Sequence, residues 1–181
     1  MTLWLRLLIL ILTAPFKPRV TLSQGVVQRR RVLPSDIDLN FHMTNSRYAS
    51  LADLARLGLM IRSGLLRAAI KNDWRPMLVA SKIRYRREIK LLRAIRVEMR
   101  LRWWNEASAV FEVRFITRGR DGDILAAIAL ERGGIYSRRE KRFVPVEALF
   151  DALGLERVAP PEATPDILAF VAAEDQMRRV G

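Results

Sequence analysis

The stretch that decides the fold is NSRYASLADLARLGLMIRSGLLRAAIK, residues 45–71. Its spacing predicts one long helix, whose first turn Thr44 or Asn45 could cap by accepting an unpaired backbone N–H. At 100° per residue, one face carries Tyr48, Leu51, Ala52, Ala55 and Leu59, and the opposite side carries Leu54, Leu57 and Ile61. A helix that is apolar around most of its circumference has to be enclosed by the rest of the domain.

Strand patterns lie on both sides of this helix. Residues 25–33 predict a first strand that ends before Pro34. After the helix, alternating or continuously apolar runs predict four antiparallel strands, at residues 77–86, 95–103, 109–118 and 124–130. A sheet of this kind can curl around one apolar helix, so we expect an α+β domain with the hot-dog fold, an antiparallel sheet wrapped around one long central helix.

Three segments follow from these patterns. We expect an apolar N-terminal segment at residues 1–16, the hot-dog domain at 17–143, and a C-terminal helical tail at 144–181, with helices near 145–153 and 165–174. One such sheet has an unprotected edge strand, and pairing with a second copy of the chain would cover it. The sequence therefore predicts a homodimer.

Composition excludes several kinds of site. The 181 residues contain no cysteine and a single histidine, His42, so disulfides, thiolate zinc sites and cysteine nucleophiles are excluded, and we expect neither a metal nor a cofactor. The formal net charge of +13 favours polyanionic partners, namely nucleic acid, anionic lipid or the phosphates of coenzyme A. Because the basic residues are spread along strands and no nucleic-acid signature is present, we expect no nucleic-acid partner.

The N-terminal segment MTLWLRLLILILTAPF leaves three interpretations open. It could be a helix packed on its own domain or dimer, a helix lying in an anionic membrane surface, or a cleaved signal. Its apolar run is far shorter than the roughly 20 residues of a spanning helix. We expect a cytoplasmic protein. If the N-terminal helix lies in a membrane surface, the protein would associate peripherally with the inner membrane.

The segment that joins the first strand to the helix is PSDIDLNFHMTNSRY, residues 34–48, and it contains several side chains that could take part in catalysis. Asp36, Asp38 and His42 converge on a helix N-terminus, whose free N–H groups can stabilise an oxyanion. A neighbouring carboxylate can act as general base for water or attack a carbonyl directly. The alternative is that these residues only satisfy the backbone of a loop.

This segment resembles the D-x-D-x-x-G-H-x-N-N-x-x-Y signature of hot-dog acyl-CoA thioesterases of the 4-hydroxybenzoyl-CoA thioesterase type. The positions that match are Asp36, Asp38, His42, Asn45 and Tyr48, followed by Ala55-Arg56. The RVLPSD opening, the H-M-x-N-x-R-Y run and the W-R-P segment are similar to thioesterase superfamily member six-like proteins. The resemblance covers roughly residues 3–136. Phe41 stands where the signature has glycine, and Thr44 stands where it has the first asparagine.

The resemblance implies roles for individual residues. Asp38 matches the catalytic carboxylate, as base or nucleophile, and His42 would orient water or hold the acyl carbonyl. Asn45 and Tyr48 would contact substrate, although a helix cap and core packing are their structural alternatives. Phe41 would adjoin the thioester in place of the usual glycine, which puts the usual oxyanion contact in doubt.

Two further sets of residues enter the candidate site. Asp53 lies where a second hot-dog lineage places its catalytic acid, whereas its spacing from Arg56 favours an i,i+3 ion pair. Arg84 and Arg86, with Arg87 and Lys90, would bind coenzyme A phosphates or form a solvated basic edge.

The function that these observations predict is hydrolysis of an acyl thioester, carried by coenzyme A or a carrier protein, with an aspartate as general base or nucleophile. The alternative is a non-catalytic hot-dog module that binds acyl chains or lipid at the membrane surface. A hydratase is disfavoured, because the D-x-N-P-L-H pattern of hot-dog hydratases has five residues from Asp to His and a proline. Asp38 and His42 are four apart, without proline.

Overall fold

The computed structural model describes residues 3–106 and 108–179. Met1, Thr2, Ala107, Val180 and Gly181, which belong to the predicted N-terminal segment, a hairpin and the tail, lie outside the described residues. The helices are α1 (Leu3–Thr13), α2 (Asn45–Ser63), α3 (Leu65–Lys71), α4 (Val146–Leu153) and α5 (Pro165–Arg178). The strands are β1 (Val26–Arg31), β2 (Trp74–Tyr85), β3 (Ala94–Trp104), β4 (Ala109–Arg118), β5 (Asp123–Ser137) and β6 (Arg142–Phe143).

The strands form one antiparallel sheet in the order β1-β3-β4-β5-β2, and the short β6 pairs with the end of β5. β1 and β2 are therefore the edge strands of this order. The sheet curls around α2, and this confirms the α+β hot-dog fold that the sequence predicts.

α2 is enclosed on several sides, as its apolar circumference requires. Leu51, Ala52, Ala55 and Leu59 are buried against the inner face of the sheet, in the same core cluster as Phe115 of β4. The single helix predicted over residues 45–71 is wrong in one respect, because Gly64 adopts a left-handed conformation with φ of 84° and separates α2 from α3. Glycine reaches that conformation without the steric cost that a Cβ imposes.

The N-terminal helix α1 packs against α2 and the β1 edge. Leu10 is buried beside Gly58, where a Cβ would lie 3.4 Å from a methyl group of Leu10 and 2.4 Å from Nε2 of Gln28. That amide of Gln28, on β1, donates a hydrogen bond to the carbonyl of Leu54 at 2.9 Å. Close packing at Gly58 thus brings three elements together. None of the helices in the described part of the chain has the length and apolar content needed to cross a bilayer.

The two C-terminal helices lie on opposite sides of the sheet. α4 packs inside, where Leu149 clusters with Met60, Leu65 and Ile135. α5 packs on the other side, where Ile167 and Phe170 cover Val110 and Leu130. Arg132 of β5 pairs with Glu174 and Asp175 of α5 and holds that helix in place.

Candidate functional site

The loop that precedes α2 folds as a small hairpin. Ile37 and Met43 form an antiparallel bridge, and the amide of Asp38 donates to the carbonyl of His42 at 3.1 Å. At the tip, the amide of Phe41 donates to the carbonyl of Asp38, and Phe41 has a φ of 60°. The position at which the thioesterase signature has glycine therefore adopts a left-handed backbone, which costs a phenylalanine more than it costs glycine. The Phe41 side chain is 67% exposed.

The hairpin places Asp38 and His42 beside each other. Oδ2 of Asp38 lies 3.6 Å from Nδ1 of His42, and each side chain is about one-third exposed. Oδ1 of Asp38 accepts a hydrogen bond from the amide of Asn40 at 2.9 Å, which orients the carboxylate. The pair is accessible to solvent and lies on the hairpin that leads into α2.

Asp36 has a different environment from Asp38. Its carboxylate is buried and accepts two hydrogen bonds from the guanidinium of Arg6, with Nη1–Oδ1 at 3.0 Å and Nη2–Oδ2 at 2.5 Å. It also accepts the amide of Leu33 at 2.9 Å. The first aspartate of the motif is therefore a structural residue that binds α1.

Asn45 and Tyr48, both in the first turn of α2, have different environments. Thr44 is the N-cap residue, but its hydroxyl lies 3.1 Å from the hydroxyl of Ser46 and makes no capping bond, so the predicted side-chain cap is wrong at Thr44. Asn45 is the exposed first residue of the helix. Tyr48 is buried, with its ring centroid 5.0 Å from that of Phe115 and 5.1 Å from that of Tyr85. Burial, together with the neighbouring Tyr85, raises the pKa of Tyr48 to about 12.

The basic segment that follows β2 runs beside the hairpin. His42 forms a backbone bridge with Lys90, and the amide of Met43 donates to the carbonyl of Ile89 at 2.9 Å. Arg84, at the end of β2, and Arg86, just beyond it, are exposed. The structure thus brings the predicted basic residues to the same end of the molecule as Asp38 and His42.

A cavity of about 310 Å³ lies between α2, the sheet and α4. Its walls are mainly apolar and include Leu57, Met60, Phe111, Ile135, Leu149 and Phe150. Met77 and Leu78 of the edge strand β2 also line it, although both are exposed. The volume and the apolar lining are typical of a site for a small ligand.

The charged part of this cavity consists of Asp53, Arg56 and Glu131. Arg56 donates to Oδ1 of Asp53 at 2.6 Å, as the i,i+3 spacing predicts, and to Oε2 of the buried Glu131 at 2.5 Å. Burial alone would lower the pKa of Arg56, but the charges and hydrogen bonds of Glu131 and Asp53 outweigh it and raise that pKa. The Asp53 side chain remains 64% exposed.

The cavity and the hairpin are separate within one chain, because neither Asp38 nor His42 lines the cavity. Sequence reasoning missed Glu131, and its only signal is a single acid that directly follows the apolar run 124–130. In the described part of the chain, no group of three or more His, Cys, Asp or Glu residues could hold a metal ion.

Comparison with known proteins identifies relatives of this chain. Protein THEM6 of Danio rerio is 30% identical over 164 residues, which cover 89% of this chain and 77% of that protein. Protein THEM6 of Xenopus laevis is 28% identical over 144 residues, which cover 80% of this chain and 66% of that protein, so the chain spans about two-thirds of that relative.

Solved structures share the fold at low sequence identity. YbaW of Escherichia coli superimposes with a TM-score of 0.65 at 19% identity, covering 71% of this chain and 96% of YbaW. SAV2348 of Staphylococcus aureus, solved in complex with CoA, gives 0.62 at 15% identity and covers 81% of this chain and 99% of SAV2348. The model of the thioesterase-like superfamily matches residues 32–169, from the end of the first strand into α5. The chain therefore belongs to the thioesterase-like superfamily.

Proposed function

We propose that this protein hydrolyses an acyl thioester, with Asp38 as general base or nucleophile. The observation that carries the proposal is an accessible carboxylate beside His42, on the hairpin that leads into the enclosed helix of a thioesterase-like chain. Thioester hydrolysis needs a base or nucleophile together with donors for an oxyanion; Asp38 would supply the first, and the amides at the start of α2 would supply the second.

The chemistry can follow either of two routes. As a base, Asp38 takes a proton from water while the water oxygen attacks the thioester carbonyl; the C–S bond then breaks and the thiolate leaves with that proton. As a nucleophile, Asp38 attacks the carbonyl itself, expels the thiolate and forms an anhydride, which water cleaves. In both routes His42 orients water, and the first amides of α2 face the oxyanion.

The cavity would hold the acyl group. Its volume of about 310 Å³ and its mainly apolar walls suit an apolar acyl chain or an aromatic acyl group. The exposed Arg84 and Arg86, with Arg87 and Lys90, would bind the phosphates of coenzyme A, the ligand present in the SAV2348 structure.

A homodimer would join the cavity to Asp38. We infer that two copies pair antiparallel along β2, about a two-fold axis near the middle of the strand at Ala80. Residues 76–78, which wall the cavity, would then face residues 82–84 of the second copy. That end of β2 packs on the first turn of α2 through Tyr85 and Tyr48 and leads into the segment that pairs with His42. Each site would therefore combine the cavity of one chain with the Asp38 of the other.

Phe41 supports a second candidate function. A phenylalanine at the position of the signature glycine hinders close approach of a thioester to the backbone, so a chain of this kind could bind acyl groups without cleaving them. The two functions share the cavity and differ only in turnover.

Release of free thiol from a panel of acyl-CoA substrates distinguishes these two functions. We expect turnover of at least one acyl-CoA of the panel, and a loss of about 10²- to 10⁴-fold in kcat for Asp38→Asn, because the base or nucleophile is removed. Asp121→Asn, at an exposed turn, is the matched control and should leave the rate unchanged.

Two results would contradict hydrolysis at Asp38. Binding of acyl-CoA without thiol release by the wild-type protein would favour the binding module. Equal thiol release by Asp38→Asn and wild type would exclude Asp38 as the base or nucleophile. Loss of turnover in Asp53→Asn would then assign that role to Asp53, whose carboxylate lines the cavity.

A further inference from the structure

The outward face of α1 is mainly apolar. Six of its exposed side chains fall within one arc of about 160° at 3.6 residues per turn, namely Trp4, Leu5, Leu8, Ile9, Ile11 and Leu12. Leu3 and Thr13, the first and last residues of the helix, are exposed outside this arc. Trp4 is 77% exposed, and Phe16, in the short turn after the helix, is also exposed. Contiguous apolar surface of this kind marks an interaction site, because a free surface in water would not keep it.

The rotation of α1 about its axis is fixed by Arg6. This arginine is buried on the inward side of the helix, where its guanidinium donates to both carboxylate oxygens of Asp36. Its Nη2 also donates to the carbonyl of Arg31 at 3.1 Å. A bidentate arginine–carboxylate pair tolerates little rotation. The only charged side chain of the helix is thus turned toward the protein, and the apolar arc is held toward solvent.

The surroundings of this face are cationic. Residues 1–35 contain no Asp or Glu, and their six basic residues are Arg6, Lys17, Arg19, Arg29, Arg30 and Arg31. Lys17 and Arg19 are exposed just beyond the C-terminal end of α1. Arg29 and Arg31 are exposed on β1, the strand whose carbonyl at Arg31 contacts Arg6.

We propose that the outer face of α1 docks the protein on an anionic lipid bilayer. An apolar arc that carries tryptophan and is bordered by lysine and arginine fits the boundary between acyl chains and anionic headgroups. The eleven residues of α1 are too few to span the bilayer, so the helix lies in the plane of the interface. Pairing of two α1 faces would bring the same cations together and is disfavoured by repulsion, whereas anionic headgroups neutralise them.

Docking through α1 would also place the candidate site near the membrane. Asp36, which Arg6 binds, lies two residues before Asp38, and its carbonyl accepts the amide of Thr44 at the start of α2. The bilayer-facing helix is therefore connected to the hairpin by a buried ion pair. Docking requires no catalysis, so the proposal stands whether or not the thioester is cleaved.

Sedimentation of the full chain with vesicles tests the proposal. The probes are vesicles of phosphatidylcholine alone and vesicles with about a third of phosphatidylglycerol. We expect binding to the anionic vesicles, weakened at about 0.5 M NaCl by screening. Leu8→Glu with Leu12→Glu should lower binding at least about tenfold, because charge enters the apolar arc. Leu168→Glu, at an exposed leucine of α5, is the matched control and should bind like wild type.

Fluorescence provides a second measurement that needs no charged substitution. Brominated acyl chains should quench the wild-type protein on anionic vesicles, and Trp4→Phe should bind equally well but lose most of that quenching. Absence of vesicle binding, equal binding by the Leu8→Glu/Leu12→Glu protein, or unchanged quenching in Trp4→Phe would overturn the proposal. Dissociation of a wild-type oligomer by the double substitution, without vesicle binding, would instead assign this face to contacts between copies.

Discussion

The phenol of Tyr48 is a core group whose ionisation is linked to folding. It lies between Phe115 and Tyr85, and burial raises its pKa to about 12, whereas an unfolded tyrosine ionises near pH 10. The folded state therefore retains the proton over a pH range in which the unfolded state has lost it. The stabilisation from Tyr48 is complete below about pH 10 and is lost as the pH rises from about 10 to about 12.

We expect the free energy of unfolding to fall over this pH range more steeply in the wild-type protein than in Tyr48→Phe. Urea unfolding at intervals between about pH 8 and pH 12 measures both slopes. Because Tyr85 also has a pKa raised by burial, part of the decline should remain in the variant. Parallel declines in the two proteins would show that the Tyr48 phenol is equally acidic in both states.

Individual residues differ in how far the sequence determines their environment. The Asp53–Arg56 pair follows from helical spacing alone, and so it could be predicted. Glu131 could not, because its partner Arg56 is 75 residues away and only the pairing of β4 with β5 and the position of α2 bring the two together. The roles of Asp38 and His42 stay predictions, since their separation of 3.6 Å comes from a local hairpin and not from a bound substrate.

At the scale of elements, the buried Arg6–Asp36 ion pair joins α1 to the segment that precedes α2. Arg6→Ala should lower the free energy of unfolding by about 3–5 kcal/mol, since it leaves a buried carboxylate without its cation. The double variant Arg6→Met/Asp36→Leu should recover most of this loss, because apolar side chains of similar size remove both charges. Urea denaturation monitored by circular dichroism gives the three values. If the single variant unfolds like wild type, the pair contributes nothing to the attachment of α1.

Most elements could be predicted because they are periodic over many residues. The alternation of residues 95–103 lies within β3, and the apolar run 124–130 lies within β5. The prediction missed features that depend on one residue or on a distant partner. Gly64 interrupts the helix through a left-handed φ, and β2 has a register shift between Leu78 and Ala80 that breaks its alternation. The orientation of α1 could not be predicted from the sequence either, because nearly all its positions are apolar. Only the burial of Arg6 shows which side of the helix faces the domain.

At the scale of the whole molecule, a shared site can be tested by mixing two defective chains. Asp38→Asn removes the carboxylate, and Leu149→Trp fills the cavity from α4. A hybrid dimer of the two variants has one site with both defects and one site with neither, if each site combines the cavity and Asp38 of different chains. Coexpression should then restore thiol release to about a quarter of the wild-type rate, since half of randomly mixed dimers are hybrids with one intact site.

The homodimeric variants are the controls for this experiment, and each alone should be inactive. Sedimentation equilibrium establishes that the mixed sample is dimeric. Absence of recovery in dimeric hybrids would show that Asp38 and the cavity act within one chain, and a monomeric wild-type protein would exclude pairing along β2.

The global fold could be predicted because one enclosed helix and a set of alternating strands admit few arrangements. The cavity could not, because its walls come from α2, four strands and α4, which are distant in sequence and meet only in the folded chain. Its separation from Asp38 depends equally on three-dimensional packing.

The position of α5 restricts how larger assemblies can grow. Ile167 and Phe170 occupy the apolar surface around Val110 and Leu130, and Arg132 anchors the helix there. The sheet of a second copy therefore cannot pack directly on this part of the outer face, because α5 already covers it. At this part of the sheet, a further copy of the chain would have to contact α5 itself or displace it.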